Sequence, residues 1–264
     1  MEKNKIQTYL AYAKKAVLEA GKLVETKKIA GYRVIRKDVK ELVTEVDMVV
    51  QAQLIDYLSS KTDCHLFISE EKSVLEVGSN DCWIIDPLDG THNFIAGLPF
   101  YSISVAYLGN NEIILGVIYF PQSGDLYCVQ KGHGAFKNNC RINVSINDDI
   151  EKSIVAYDNQ FYLAQESIAN FVKIQEKTFT VRILGVASRD ACYVAEGILD
   201  ARIWNSTKLC DIAAGTLIVK EAGGKATDFS GNEINLQSVK DVIVSNGRFH
   251  NEIVDILNGG ENGV

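Results

Sequence analysis

Two carboxylates three residues apart, Asp86 and Asp89, stand in the run Trp83-Ile84-Ile85-Asp86-Pro87-Leu88-Asp89-Gly90-Thr91-His92-Asn93-Phe94. Cys82 to Ile85 has the apolar, aromatic and β-branched make-up of a buried strand, and Pro87 is expected to stop it because proline offers no N–H to a ladder. In the bend that follows, Leu88 has to present its carbonyl, so carboxylate and backbone oxygens can converge. Hard divalent cations take such oxygens, and Mg²⁺ uses only one or two carboxylates alongside substrate phosphate and water. Gly90 lets the backbone approach a ligand, and Thr91 puts a hydroxyl at a helix start, where open N–H groups favour anions. The chemistry suggested is metal beside phosphate. The same residues would equally make a turn that only ends a strand and opens a helix, since Asp, Pro and Gly are ordinary turn formers.

Three more carboxylates stand at the ends of expected elements, where sites are commonly built. Glu70 follows the short strand His65 to Ser69, Asp47 closes Thr44-Glu45-Val46-Asp47, and Asp211 precedes Ile212-Ala213-Ala214-Gly215. Each has a structural alternative: a solvated acid for Glu70, a capping box with Thr44 for Asp47, and a helix N-cap for Asp211.

The elements that must position these groups follow from periodicity. Apolar residues from Ile6 to Val24 recur every three or four positions, which predicts an amphipathic helix over 6–26 with Gly21 allowing close approach. Tyr32 to Arg36 alternates like a strand, and a second helix starts at the Thr44 box. Segments 101–108, 112–119 and 126–131, separated by Gly109-Asn110-Asn111 and Pro121-Gln122-Ser123-Gly124, read as antiparallel strands. From about residue 145 strand and helix alternate: strands at 154–157, 180–184, 201–204 and 240–245, helices at 164–174, 190–196, 211–222 and 249–257, with Gly223-Gly224 as a helix stop. The chain is expected to be one unit over 1–264, with subdomains 1–144 and 145–264 sharing a core.

Composition narrows the classes. Of 264 residues 47% are hydrophobic, enough for a sizeable core, and 27 Lys plus Arg face 34 Asp plus Glu for a net charge of −7. That balance argues against general affinity for nucleic acid or anionic membrane. No apolar run approaches the roughly 20 residues of a membrane span. Six cysteines without a C-x-x-C pair fit reduced thiols, and the charged start Met1-Glu2-Lys3-Asn4-Lys5 lacks a secretory h-region, so a cytoplasmic location is expected.

Four ordered blocks resemble the inositol monophosphatase family of Mg²⁺-dependent, lithium-sensitive phosphatases related to fructose-1,6-bisphosphatases. They are Leu42 to Asp47, Ser69-Glu70-Glu71, Trp83 to Phe94, and Cys210 to Gly215 with Glu221-Ala222-Gly223-Gly224. The resemblance covers nearly the whole chain. It implies an α/β fold, the layered α+β sandwich of the sugar-phosphatase superfamily with alternating helix and sheet layers, and a homodimer. It also implies two or three Mg²⁺ per site: Glu70, Asp86 and the Leu88 carbonyl on the first, Asp86, Asp89 and Asp211 on the second. Asp47 and Thr91 would orient and deprotonate the attacking water, and the amides of Gly90 and Thr91 would take phosphate oxygens. Substrate contacts would come from Asp89, Gly90, Thr91, the loop Gly185-Val186-Ala187, Trp204 and Asp211.

The departures lie where substrate is chosen. Cys210 stands where the family usually has Trp, and Trp204 where animal inositol monophosphatases place a Glu that grips inositol hydroxyls. Arg189 could reach a second phosphate or a carboxylate, or be a solvated surface residue; His92 could touch the substrate mouth or face solvent; Lys37 aligns with a family Lys near the phosphate, or is an ordinary surface lysine. Inositol monophosphate is the leading substrate, with fructose 1,6-bisphosphate, histidinol phosphate and 3′-phosphoadenosine 5′-phosphate as rivals. A regulatory or binding protein on the same fold is the alternative of another class.

Overall fold

The strand expected at Cys82 forms, but Pro87 does not end it. In the computed structural model, which describes residues 2–38, 42–69, 73 and 74, 81–163 and 165–259, the strand runs Cys82–Asp89. Its register against the neighbouring strand slips: Asp86 faces Ser104 and Asp89 faces Ser102, so Pro87 and Leu88 together oppose the single residue Ile103. Pro87 sits in this bulge, where its missing N–H costs no ladder bond. The bulge matters for chemistry. In a regular strand, residues three apart point to opposite faces, and one extra residue returns Asp86 and Asp89 to the same side.

The described residues carry seven α-helices: α1 (Glu2–Ala30), α2 (Glu45–Lys61), α3 (Thr91–Ile95), α4 (Glu166–Lys177), α5 (Ala187–Ala195), α6 (Leu209–Glu221) and α7 (His250–Leu257). Two sheets separate them into layers. The larger has eight strands in the spatial order Cys140–Arg141, Ala135–Lys137, Asp125–Gln130, Glu112–Phe120, Ser102–Gly109, Cys82–Asp89, Phe67–Ser69 and Ser73–Val74. Neighbours are antiparallel except Phe67–Ser69, which runs parallel to Cys82–Asp89 and sets Ser69 opposite Ile85. The smaller has five, Thr180–Arg182, Ile154–Tyr157, Ala201–Trp204, Val242–Ser245 and Lys225–Asp228, the first three parallel. A short ribbon pairs Val34–Arg36 with Leu42–Thr44.

Period-two alternation builds the layers. Trp83 and Ile85 join the core formed with Val17 of α1 and Leu54 of α2, while Cys82 and Ile84 join Cys192 of α5 and Ile218 of α6 on the other face. The smaller sheet repeats the pattern. Trp204 and Val244 face α5 and α6, and Ile203 and Ile243 face Ile174 of α4 and Ile253 of α7. The order is helix, sheet, helix, sheet, helix, and each large side chain buried in it contributes about 1.5–3 kcal/mol. Contact between α5 and α6 needs Gly215, since a Cβ there would lie 2.7 Å from that of Ala191.

Several boundaries moved. The helix expected at 190 begins at Ala187, because the turn at Gly185 (φ +71°) aims the chain into it three residues earlier. The helix expected over 164–174 spans Glu166–Lys177, and the strand expected from Tyr32 begins at Val34.

Candidate active site

Asp47 forms the capping box considered for it and also reaches Thr91. It lies in the first turn of α2, where Oδ2 accepts from Thr44 N at 2.7 Å and Thr44 Oγ at 2.5 Å, while Thr44 Oγ accepts from Val46 N and Asp47 N. That capping box leaves Oδ1 to face Thr91, whose Oγ lies 3.0 Å from it and 2.9 Å from the Leu88 carbonyl. Asp47 is buried, and burial raises its pKa above the ordinary carboxylate value against the pull of these donors.

Thr91 opens α3 directly after Gly90, whose φ of +90° is left-handed. Any side chain there would be strained, and a Cβ would stand 2.8 Å from Phe100 O. Asp86 Oδ1 accepts from Leu88 N at 3.1 Å, which holds the bulge shut. Asp89 points across to α5: Oδ1 accepts from Ala187 N at 3.2 Å, Oδ2 from Ser188 N at 2.7 Å and from the Ser188 hydroxyl. Asn93 ties the same loop by donating to Leu184 O at 2.8 Å.

Asp211 is not the N-cap of its helix. α6 starts two residues earlier, with Lys208 as N-cap, and Asp211 accepts from Lys208 N at 3.1 Å and Thr207 Oγ at 3.2 Å. Burial, then the charge of Asp89, pushes its pKa up to about 6. Glu70 lies outside the described residues.

A cavity of about 800 Å³ joins these parts, lined by Asp86, Leu88, Asp89, Gly90, Thr91, Gly185, Val186, Ala187, Trp204 and Asp211. The structure thus brings together the motif turn, the 185–187 loop, Trp204 and Asp211, with Asp47 behind Thr91. The donors at one end are all oxygens, the kind a hard divalent cation takes, and Asp211 and Asp89 already repel one another, which a cation would offset. Among the described residues, no three His, Cys, Asp or Glu side chains are grouped closely enough to hold a metal ion by themselves.

Other residues depart from expectation. Arg189 neither lines the cavity nor reaches solvent; it is 4% exposed, with its guanidinium carbon 3.4 Å from the centroid of the Phe120 ring and Nη1 3.8 Å from Asp125. Its place in the first turn of α5 turns it into the core. His92 is exposed at the cavity edge, and Lys37 is exposed while its neighbour Asp38 lines the cavity.

Sequence reading missed Arg202, Asp158 and Lys208, which also line the cavity. Arg202 is buried, its Nε 3.1 Å from Asp190 Oδ2 and its guanidinium 4.9 Å from the Trp204 ring. Burial raises Asp190 to about 7, and Arg202 opposes that rise. Alternation was the available signal, because a residue two before Trp204 shares its face. Asp158 follows directly on the Ile154–Tyr157 strand, the same criterion that singled out Glu70.

A family model described as the inositol monophosphatase family matches residues 5–259. A fructose-1,6-bisphosphatase/inositol-1-monophosphatase of Thermotoga maritima is 40% identical over 219 residues, covering 83% of each chain. A Nus factor SuhB of Haemophilus influenzae is 36% identical, covering 77% of this chain and 78% of the relative. Among solved structures, an IMPase of Thermotoga maritima aligns with a TM-score of 0.87 at 35% identity, over 95% of this chain and 97% of that one. An IMPase/NADP phosphatase complexed with Mg²⁺ and phosphate aligns with a TM-score of 0.80 at 28% identity, over 91% and 90%.

Proposed function

The chain belongs to the inositol monophosphatase family and is a phosphoric monoester hydrolase, and we propose that it uses Thr91 and Asp47 to activate water against a small phosphate monoester. One observation carries the reading: the Thr91 hydroxyl has a single proton and two acceptors, Asp47 Oδ1 and Leu88 O. When Thr91 donates to Leu88 O, a proton on Asp47 completes the second bond; when Asp47 is ionised, Thr91 donates to it. A water beside Thr91 can therefore give its proton to Thr91 Oγ as Thr91 passes its own to Asp47. Burial makes Asp47 the better acceptor by raising its pKa.

Asp86, Asp89, Asp211 and the Leu88 carbonyl, together with Glu70, would hold two Mg²⁺ ions. Bound there, the ions would supply charge neutralisation for the phosphate and a lower pKa for the attacking water. The amides of Gly90 and Thr91 would take phosphate oxygens.

Inositol monophosphate is the leading substrate. Fructose 1,6-bisphosphate is the nearest rival, supported by Arg202 and Lys208 on the cavity wall and by the name of the Thermotoga relative. Phosphate release from a panel of monoesters, with and without Mg²⁺, tests both; Mg²⁺-dependent turnover of inositol monophosphate above the others is expected. The Haemophilus relative is named as a Nus factor rather than a phosphatase, which keeps a second reading, a regulatory or binding protein on the same fold, and no turnover of any ester by folded protein would move the assignment there. We further propose a cytoplasmic, lithium-sensitive homodimer. Its six free cysteines support the compartment, and Phe179 and Ile183, exposed beside the edge strand Thr180–Arg182, support the dimer. No helix among the described residues is long and apolar enough to cross a membrane.

A further inference from the structure

Ser188 gives Asp89 two donors on one oxygen. Its N–H and its hydroxyl both bond Oδ2, while Ala187 N bonds Oδ1. The Ser188 hydroxyl has one proton, so donating to Asp89 leaves it to accept from Ser102 Oγ, 2.5 Å away on the Ser102–Gly109 strand. Both serines are buried, Ser102 wholly, so neither hydroxyl can turn to solvent.

An ionised carboxylate oxygen accepts through two lone-pair sites, and both sites of Oδ2 are engaged by Ser188. Two-oxygen ligation of a cation would need one of them. We infer that Ser188, itself oriented by Ser102, is a positioning residue that makes Asp89 a one-oxygen ligand through Oδ1, and so favours Mg²⁺ over Ca²⁺. Mg²⁺ is small, octahedral and keeps its waters, whereas Ca²⁺ takes more oxygens and accepts both from one carboxylate. The inference rests on the assignment of Asp89 as a cation ligand.

Calorimetric titration of the full chain, free of substrate, with MgCl₂ alone and CaCl₂ alone tests it. Removing the hydroxyl donor to Oδ2 in S188A, which frees one of its two sites while the backbone N–H stays, is expected to shrink the ratio of Mg²⁺ to Ca²⁺ affinity about tenfold, within the usual range for groups that orient a ligand. S102A should shrink it less, and the double variant should match S188A, because Ser102 then has nothing to act through. A ratio in S188A within about twofold of the parent overturns the inference, as does a double variant whose effect is the product of the two singles. S188C keeps the volume with a weak donor and gives the same readout should S188A not fold. D89N distinguishes the two levels: unchanged affinity for both cations there would overturn the cation site itself, whereas weakened affinity in D89N with an unchanged ratio in S188A overturns only the role of the serine.

Discussion

The cavity has two walls built in different ways. One is the motif turn Asp86–Thr91, a single continuous stretch whose bulge and left-handed glycine set the directions of its groups. The other is assembled from the loop at Gly185, the strand end at Arg202 and Trp204, and the helix start at Lys208 and Asp211. On the proposed reading most of the reaction chemistry, which tolerates little displacement, belongs to the continuous wall, with Asp211 meeting it from the other. We assign substrate choice to the composite wall, where a residue such as Trp204 can change without altering the turn.

Asp89→Asn attacks the point where the walls meet and should have the largest effect. It is expected to lower kcat at least about a thousandfold while the fold persists, since it removes a charge that would hold a cation and leaves only one of the two oxygens that accept from the α5 amides; steady-state kinetics with a melting curve checks this. Near-normal turnover would break the assignment of chemistry to the turn. Thr91→Ala belongs wholly to the continuous wall. Its kcat should fall about a hundredfold or more, the scale of lost proton transfer, with Mg²⁺ affinity by titration nearly unchanged.

His250 tests the support of the composite wall, because it clamps two strands of the sheet that carries Trp204. Thr227 Oγ donates to Asp228 O and so accepts from His250 Nε2, while Nδ1 accepts from Ser245 Oγ, a network that suits the neutral ring. Burial lowers its pKa to about 4 from 6.5. The unfolded chain therefore takes up a proton that the folded chain refuses between those values, and stability should fall by roughly 3 kcal/mol as pH drops from 6.5 to 4. Denaturant melts at stepped pH should show that slope, and His250→Gln should flatten it. The smallest effect is expected for Arg202→Leu: kcat on inositol monophosphate within about twofold, and KM for fructose 1,6-bisphosphate raised about tenfold, the value of one polar contact. Equal losses on both substrates would erase the distinction between the walls.

Much of this was legible locally. The strand at Cys82, the capping box at Thr44 and the helix stop at Gly223 depend on neighbours in sequence, and they formed as the residue pattern implied. Pro87 misled because its cost depends on whether the partner strand can slip by one residue, which only Ser102–Gly109 decides. Arg189 misled for a related reason. Its charge said surface, yet Phe120 and Asp125 come from a hairpin about seventy residues away and cover it.

By itself the sequence determined which groups could do chemistry: Asp86, Asp89, Gly90 and Thr91 lie within six residues, where turn geometry and oxygen chemistry suggest metal beside phosphate, and the family resemblance implies the role of each. Only the tertiary structure decided what they face. The Asp47 carboxylate meets Thr91 across 44 positions, and the α5 amides meet Asp89 across nearly a hundred. Such meetings are set by how helix and sheet layers stack, a property of buried surfaces summed over the whole chain rather than of any one segment.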